Sequence, residues 1–164
     1  MTDIVLGKTH STLVSFARPA NTDAYTAGDV VCNAATLVFP HGAKFGSTVL
    51  NHAIITTSAN VATKPDLELW LFSATVAAVA DNAAFAPTDA EMLTLIGVVE
   101  FPTADFRAGL SGSGSAGNAV CEASGIGLPI TSLRDTEIYG QLVVRNAYAP
   151  ISAEAFQIRL SFLD

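Results

Sequence analysis

Residues 67–101, LELWLFSATVAAVADNAAFAPTDAEMLTLIGVVEF, decide how this chain is read. The segment opens on Leu67-Glu68-Leu69-Trp70-Leu71-Phe72, with Leu67, Leu69 and Leu71 on one face and Glu68, Trp70 and Phe72 on the other. Successive side chains of a strand point to opposite faces, so this run reads as β. A loop of small residues follows, then Thr88-Asp89-Ala90-Glu91 ahead of Met92, Leu93 and Leu95. That spacing matches a capping box, in which the Thr88 hydroxyl accepts from the Glu91 amide and the Glu91 carboxylate reaches back. Two turns of helix are expected there. Ile96-Gly97-Val98-Val99-Glu100-Phe101 then returns to strand. Nothing in the segment can do covalent chemistry. It describes a rigid β framework that presents loops, which points towards a structural or binding role.

The same reading extends in both directions. Phe156, Ile158, Leu160 and Phe162 point one way and Gln157, Arg159 and Ser161 the other, a half-buried strand with one wet face. Residues 137–145 place Ile138, Leu142 and Val144 together. Further strands are expected at residues 12–17, 28–32, 36–39, 48–57 and 119–122, with turn chemistry such as Pro40-His41-Gly42 and Lys64-Pro65-Asp66 between them. Short strands at this spacing define an all-β fold: a jelly-roll-like sandwich of about eight strands with one short helix. The domain plan is an N-terminal arm, residues 1–9, followed by one sandwich domain, residues 10–164. A 164-residue chain can bury roughly 70% of the surface its unfolded form exposes, so it needs no metal or staple to fold.

Hydrophobic residues make up 50% of the chain and charged residues 14%, against about 25% charged in an average soluble domain. Two readings of this shortage stand: a surface partly covered by another protein or by copies of itself, or a small Ala-rich domain with a Ser/Thr/Ala surface. The formal net charge is −7. The eight basic residues, Lys8, Arg18, Lys44, Lys64, Arg107, Arg134, Arg145 and Arg159, are scattered. Phosphate backbones demand clustered cations, so direct nucleic-acid binding and anionic membranes are disfavoured. No apolar run approaches the ~20 residues of a spanning helix. MTDIVLGKTH has too short an apolar core for a signal peptide, with Asp3 ahead of it. The product is expected to stay in the cytosol of the cell that makes it, or in a particle assembled there.

Candidate chemistry is sparse. Cys32 and Cys121 sit in strand-like apolar contexts and read as buried thiols, with a disulfide as the alternative. No CxxC occurs, and His10, His41 and His52 lack ligand spacing, so no metal or cofactor is expected. Gly112-Ser113-Gly114-Ser115-Ala116-Gly117 fits GxGxxG by letter. No strand precedes it and no helix follows, so it reads as a Ser/Gly loop that stays mobile or orders on a partner. Asp81, Asp89 and Asp105 could meet Glu91 or Glu100 as paired carboxylates, but scattered acids of this kind read as solvated loop residues, and no enzyme is expected. Trp70, the single tryptophan, reads as packed within the sandwich or under the helical turn, or else as a platform for a sugar ring. Ile4-Val5-Leu6 before Gly7 could pair as an edge strand or lie on a partner and add a strand to it.

Three stretches carry a resemblance. Phe16-Ala17-Arg18-Pro19-Ala20-Asn21-Thr22-Asp23-Ala24-Tyr25-Thr26-Ala27-Gly28-Asp29-Val30-Val31 is the first. Leu69-Trp70-Leu71-Phe72, with Ala80-Asp81-Asn82-Ala83-Ala84-Phe85 and Asp89-Ala90-Glu91, is the second. Tyr139-Gly140-Gln141-Leu142-Val143-Val144 and the last alternating strand are the third. Together they resemble the jelly-roll cement, or head-decoration, proteins of tailed bacteriophages. The resemblance implies a structural virion protein on the capsid exterior, made in the host bacterial cytoplasm. Its partner would be the major capsid protein, and it would self-associate as a dimer or trimer. Such a protein bridges neighbouring shell subunits against the pressure of packaged DNA, and many bridging copies gain from effective concentration. No active-site residues come with it. Ile4, Val5 and Leu6 of the arm and Ser113 and Ser115 of the loop are the expected capsid contacts. The rival reading is a carbohydrate-binding module of a phage fibre or tail, which would display Trp70 or Tyr25 and Tyr148 in a groove.

Overall fold

The computed structural model describes residues 9–41, 47–108, 117–131 and 137–163. Nine strands are named: β1 Thr9–Ala17, β2 Leu37–Pro40, β3 Ser47–Thr57, β4 Leu67–Phe72, β5 Leu95–Phe101, β6 Arg107–Ala108, β7 Ala119–Thr131, β8 Glu137–Val144 and β9 Ala155–Leu163. They form a five-stranded sheet, β1-β9-β3-β7-β6, and a four-stranded sheet, β2-β8-β4-β5. Every pairing is antiparallel. With the two-residue β6 set aside, the pairings nest: first strand with last (β1 with β9), second with second-last (β2 with β8), then β3 with β7 and β4 with β5. This is one long antiparallel ribbon, folded back at β4–β5 and rolled until β9 meets β3 and β8 meets β4. A rolled ribbon of eight strands in two sheets is a jelly roll.

Alternation supplies the core. Phe156, Ile158, Leu160 and Phe162 of β9 are fully buried and face Leu67, Leu69 and Leu71 of β4 and Ile138, Leu142 and Val144 of β8 within one cluster. Phe16, Phe39, Leu50, Ile55 and Phe101 complete its bulk. Gly140 of β8 is required by close packing. A Cβ there would lie 2.9 Å from Cε2 of Phe39 and 3.1 Å from Cδ1 of Leu69.

The five-stranded sheet is kinked at one level. The register of β3 slips between Leu50 and His52 against both β9 and β7. On the β7 side Leu50 faces Leu128 but His52 faces Ser124, and between those two Gly125 and Gly127 adopt φ of +66° and +64°. Glycine enters this left-handed region without the Cβ clash that other residues meet. Pro129 follows, and past Val120 β7 has no partner beyond β3 among the described residues. Proline is tolerated on such an edge because a ladder hydrogen bond need not be lost.

The outer face of the four-stranded sheet is strapped by loops. Beyond β2, the backbone of Gly28–Val31 takes over beside β8: Gly28 donates to Val144, Val31 donates to Leu142, and Val144 donates to Asp29. The connection from β4 to β5 then crosses to reach it, with Val30 donating to Ala83, Asn82 to Val30 and Phe85 to Gly28. Beneath it Val30, Cys32 and Val143 form a second small cluster with Trp70, Val79 and Phe85. This strap carries one turn of helix, α1, Asp89–Met92, with the expected capping box formed by Thr88 and Glu91.

Four expectations change. The helix is one turn rather than two, because Thr94 donates its hydroxyl back to the Glu91 carbonyl and β5 starts at Leu95. Residues 28–32 do not form a named strand but isolated bridges, Asp29 with Ala84 and Val30 with Val143. The strand expected at 119–122 runs on to Thr131. Thr9, given to the arm, is the first residue of β1 and pairs with Leu163.

Gly140→Ala should lower stability by about 1–3 kcal/mol, because its neighbours are a buried ring and a buried leucine that cannot both move aside. Urea unfolding followed by Trp70 fluorescence reads this as a lower midpoint at unchanged slope.

Candidate functional site

The motif at residues 16–31 builds a buried polar knot at one end of the sandwich. The Arg18 side chain is fully buried, and all five of its N–H directions have an acceptor. Its Nε donates to the Tyr25 hydroxyl at 2.7 Å. Its Nη1 donates to the carbonyls of Asn21 and Ile151, and its Nη2 to Asn21 Oδ1 at 2.8 Å and Asp81 Oδ2 at 3.2 Å. The Tyr25 hydroxyl in turn donates to Asp81 Oδ1 at 2.5 Å, and the Cys32 amide donates to the same oxygen. Asp81 had read as a solvated loop acid, yet its side chain is 5% exposed. A buried guanidinium needs such a counter-charge, since an unpaired ion in the interior costs several kcal/mol.

A second knot abuts the first. Tyr148 stacks on Tyr25 with ring centroids 6.2 Å apart. Its hydroxyl lies 2.7 and 2.6 Å from the two carboxylate oxygens of Glu154, which is completely buried and also accepts from the Thr57 hydroxyl. Burial, then the hydrogen bond to Asp81, pushes the Tyr25 phenol far above its usual value. Burial and the neighbouring Glu154 carboxylate do the same to Tyr148. These tyrosines are wholly enclosed, so they are not the sugar platforms that the rival reading placed in a groove.

These groups bind the structure to itself. Cys32 and Cys121 are free and buried, and burial raises both thiols, Cys121 to about 11. Among the described residues no grouping of three or more His, Cys, Asp or Glu could hold a metal ion. No described helix is long and apolar enough to cross a membrane. The carboxylates of Asp81 and Glu91 are engaged separately, one by Arg18 and Tyr25, the other by Thr88 and the Ala77 amide.

The two sheet faces open to solvent differ. The outer face of the five-stranded sheet is exposed along β1 and β9. It shows Ser11, Leu13 and Ser15 from β1 and Gln157 and Arg159 from β9, and Leu13 lines a shallow recess there with Ile54 and Thr56. The strapped face of the other sheet shows Trp70, half-buried, with its ring edge-on to Phe85 at 5.4 Å and its indole N–H donating to Glu68. Trp70 is therefore outside the core, beside the strap that carries α1. A recess of about 310 Å³ opens next to it, lined by Trp70, Phe85, Pro87, Met92, Val143 and Arg145, with Gly28 at its rim.

The expected capsid contacts Ile4, Val5, Leu6, Ser113 and Ser115 lie outside the described residues. Their roots do not. The arm joins β1 at Thr9, which pairs with Leu163, which pairs with Val49. The Ser/Gly loop joins β6 at Ala108 and re-enters at Ala119, which pairs with Thr57. Val49 and Thr57 are eight residues apart along β3 (57 − 49 = 8), roughly 26 Å at strand spacing. The two segments leave from opposite ends of one sheet.

The architecture defines the class: an all-β jelly-roll sandwich. The chain matches no protein-family model and no curated protein. Among solved structures it is similar to a chain of the cyanophage Pam1 capsid asymmetric unit, at 16% identity over 99% of this chain and 89% of that one, with a TM-score of 0.36. It is also similar to a chain of infectious bursal disease virus, Gx strain, at 12% identity over 96% of this chain and 33% of that one, TM-score 0.36. A chain of Triatoma virus matches at 13% identity over 94% and 63%, TM-score 0.26. Likenesses at these scores carry no argument about what this chain does.

Asp81→Ala should cost about 3–5 kcal/mol, because it strands the Arg18 charge in the interior. Tyr25→Phe should cost about 1–2 kcal/mol, since Arg18 keeps four of its five acceptors. Thermal melts of both variants check the order. A phenol whose folded pKa is raised contributes no loss below its unfolded value near 10, and stability then falls as pH rises beyond it. Tyr25 and Tyr148 should therefore stay protonated in the native protein above pH 10. Their tyrosinate absorbance should appear together with alkaline unfolding.

Proposed function

We propose that this chain is a structural virion protein that binds the outside of an icosahedral phage capsid and cements neighbouring major capsid subunits against internal DNA pressure. The observation that carries the reading is the placement of the two docking candidates. The arm with Ile4, Val5 and Leu6 and the loop with Ser113 and Ser115 are rooted at opposite ends of one rigid sheet. A clamp needs two separated contacts on a body that does not stretch between them. A β-sandwich packed through one continuous core resists such extension.

Two further features support it. The motif that resembles cement proteins is the one whose Arg18, Asn21, Tyr25 and Asp81 lock the loop end, so the resemblance falls on residues with a structural task. The β1 edge of the five-stranded face shows Ser11, Leu13 and Ser15 without charge, as a surface suited to protein contact would. Self-association as a dimer or trimer belongs to the same proposal, since many copies on symmetric positions require a symmetric interface. The sugar-binding reading has lost Tyr25 and Tyr148 as exposed rings and rests on Trp70 alone.

Quantitative mass spectrometry of purified particles should give this protein and the main shell protein in a ratio near one-to-one or a simple fraction of it. A handful of copies per particle would move it to the tail or a fibre, and absence from the particle would overturn the reading. Removal of residues 1–8 spares β1 and should cut occupancy on particles assembled without the native protein. Undiminished binding would remove the arm from the interface.

A further inference from the structure

We propose that the recess beside Trp70 is a docking site for an extended segment of a partner protein, one carrying a large apolar side chain and a lysine or arginine two residues away. This goes beyond the virion reading and does not depend on it.

Three of the six exposed large apolar side chains among the described residues lie at α1 or on β5, and Leu13, Leu163 and Val38 lie elsewhere. Leu93 is 90% exposed, Met92 37% and Val98 36%. Met92 lines the recess, and Val98 faces Trp70 across the β4–β5 ladder. The display is rigid. Leu93 caps a helical turn whose Glu91 carboxylate accepts from the Ala77 amide, the Thr88 amide and the Thr88 hydroxyl at 2.7, 2.7 and 2.8 Å. A leucine held out by three such bonds is not a fraying loop residue.

Charge identifies the occupant. One row along from Trp70 and Val98, on the same face, Glu68 and Glu100 are direct cross-strand partners. Like charges placed directly opposite one another destabilise a sheet. Among the described residues the Arg145 side chain pairs with Glu68, at 3.3 Å, and Glu100 stays exposed. Asp89 adds another exposed carboxylate at the start of α1. Arg145 itself lines the hollow and answers Glu68, so Glu100 and Asp89 leave its surroundings net acidic. A second copy of this chain would bring a like-charged rim against it, whereas a basic segment would relieve the repulsion already there. Adjacent rows on one face are two residues apart, so an extended segment with its anchor over Trp70 would bring the residue two places on to Glu100.

Trp70 is the only tryptophan, so its fluorescence reports the site directly. The probes are acetyl-Thr-Leu-Thr-Lys-Thr-amide and its counterparts with Glu for Lys and with Ser for Leu. The expected result is a saturable change in Trp70 emission with the first peptide. Binding should be roughly fivefold weaker with the Glu peptide and for the Glu100→Gln protein, the worth of one or two surface ion pairs, and weaker again in high salt. The Ser peptide should give no change. Glu100 is exposed, so Glu100→Gln should fold normally, which its melting curve checks. Four outcomes would overturn the proposal: no change with any peptide, equal binding of Lys and Glu peptides, a change with a neutral oligosaccharide such as maltoheptaose but not with peptides, or a concentration-dependent change without peptide that accompanies dimerisation and is abolished by Leu93→Ser. The last would make the occupant a second copy.

Discussion

The buried guanidinium of Arg18 is the constraint on which the loop end of this sandwich depends. A charge taken out of water is tolerated only if every donor is met and a counter-charge stands nearby. Arg18 obtains this from three separate connections: Asn21 and Tyr25 after β1, Asp81 between β4 and β5, and Ile151 between β8 and β9. Each of those connections is thereby fixed in place relative to the others. The consequence reaches beyond the knot. Asp81 is one anchor of the long β4–β5 strap, beside the bonds of Cys32 to Val79 and Gln141 to Ala77 and the backbone bonds of Asn82, Ala83 and Phe85 to Gly28 and Val30. Phe85, fastened by its amide to Gly28, contributes a wall to the Trp70 recess.

The sequence discloses the parts of this fold that follow from local periodicity. Residues 67–72 appear with the expected bounds, and the alternation of Phe156, Ile158, Leu160 and Phe162 predicts the buried face of β9. The capping box is legible because Thr88 and Glu91 are three residues apart and their bonds are local. What it hides is non-local or disguised. Arg18 and Asp81 are 63 positions apart, and a lone arginine and a lone aspartate in loops give no sign that they meet. Gly125, Gly127 and Pro129 look like loop chemistry, yet they lie within β7, where the glycines absorb a bulge and the proline sits on a free edge. Gly28–Val31 looks like a strand because it is one in all but length: its backbone bonds to β8 on one side and to the strap on the other. Of the sites, Trp70 could be placed on its face by alternation, while the rim of Glu68 and Glu100 needed the register of β4 against β5.

The two outer faces solve the same problem differently. A jelly roll buries the inner face of each sheet and leaves both outer faces to solvent. In the four-stranded sheet Val143, Trp70 and Phe72 point outward, and the strap covers them with Val30, Val79 and Phe85. In the five-stranded sheet the outward positions mix polar Ser11, Ser15 and Gln157 and charged Arg159 and Glu122 with apolar Leu13, Ile54 and Leu163. The shortage of charge in the composition is therefore not spread evenly in its consequences. It produces a mixed polar and apolar face on one side and an apolar hollow with net acidic surroundings on the other.

Sheet edges are where a chain rich in strands and poor in charge risks pairing with its neighbours. Here the edges are managed by geometry. Between β5 and β7 the sandwich closes on itself: a Cβ at Gly97 would come within 2.8 Å of Leu128, so the side chain of one edge lies over the backbone of the other. The left-handed glycines and Pro129 bend β7 and interrupt its donors along the free stretch past Val120. Strand addition on this side is thus discouraged by backbone geometry as well as by the exposed Glu122 of β7 and Glu100 of β5.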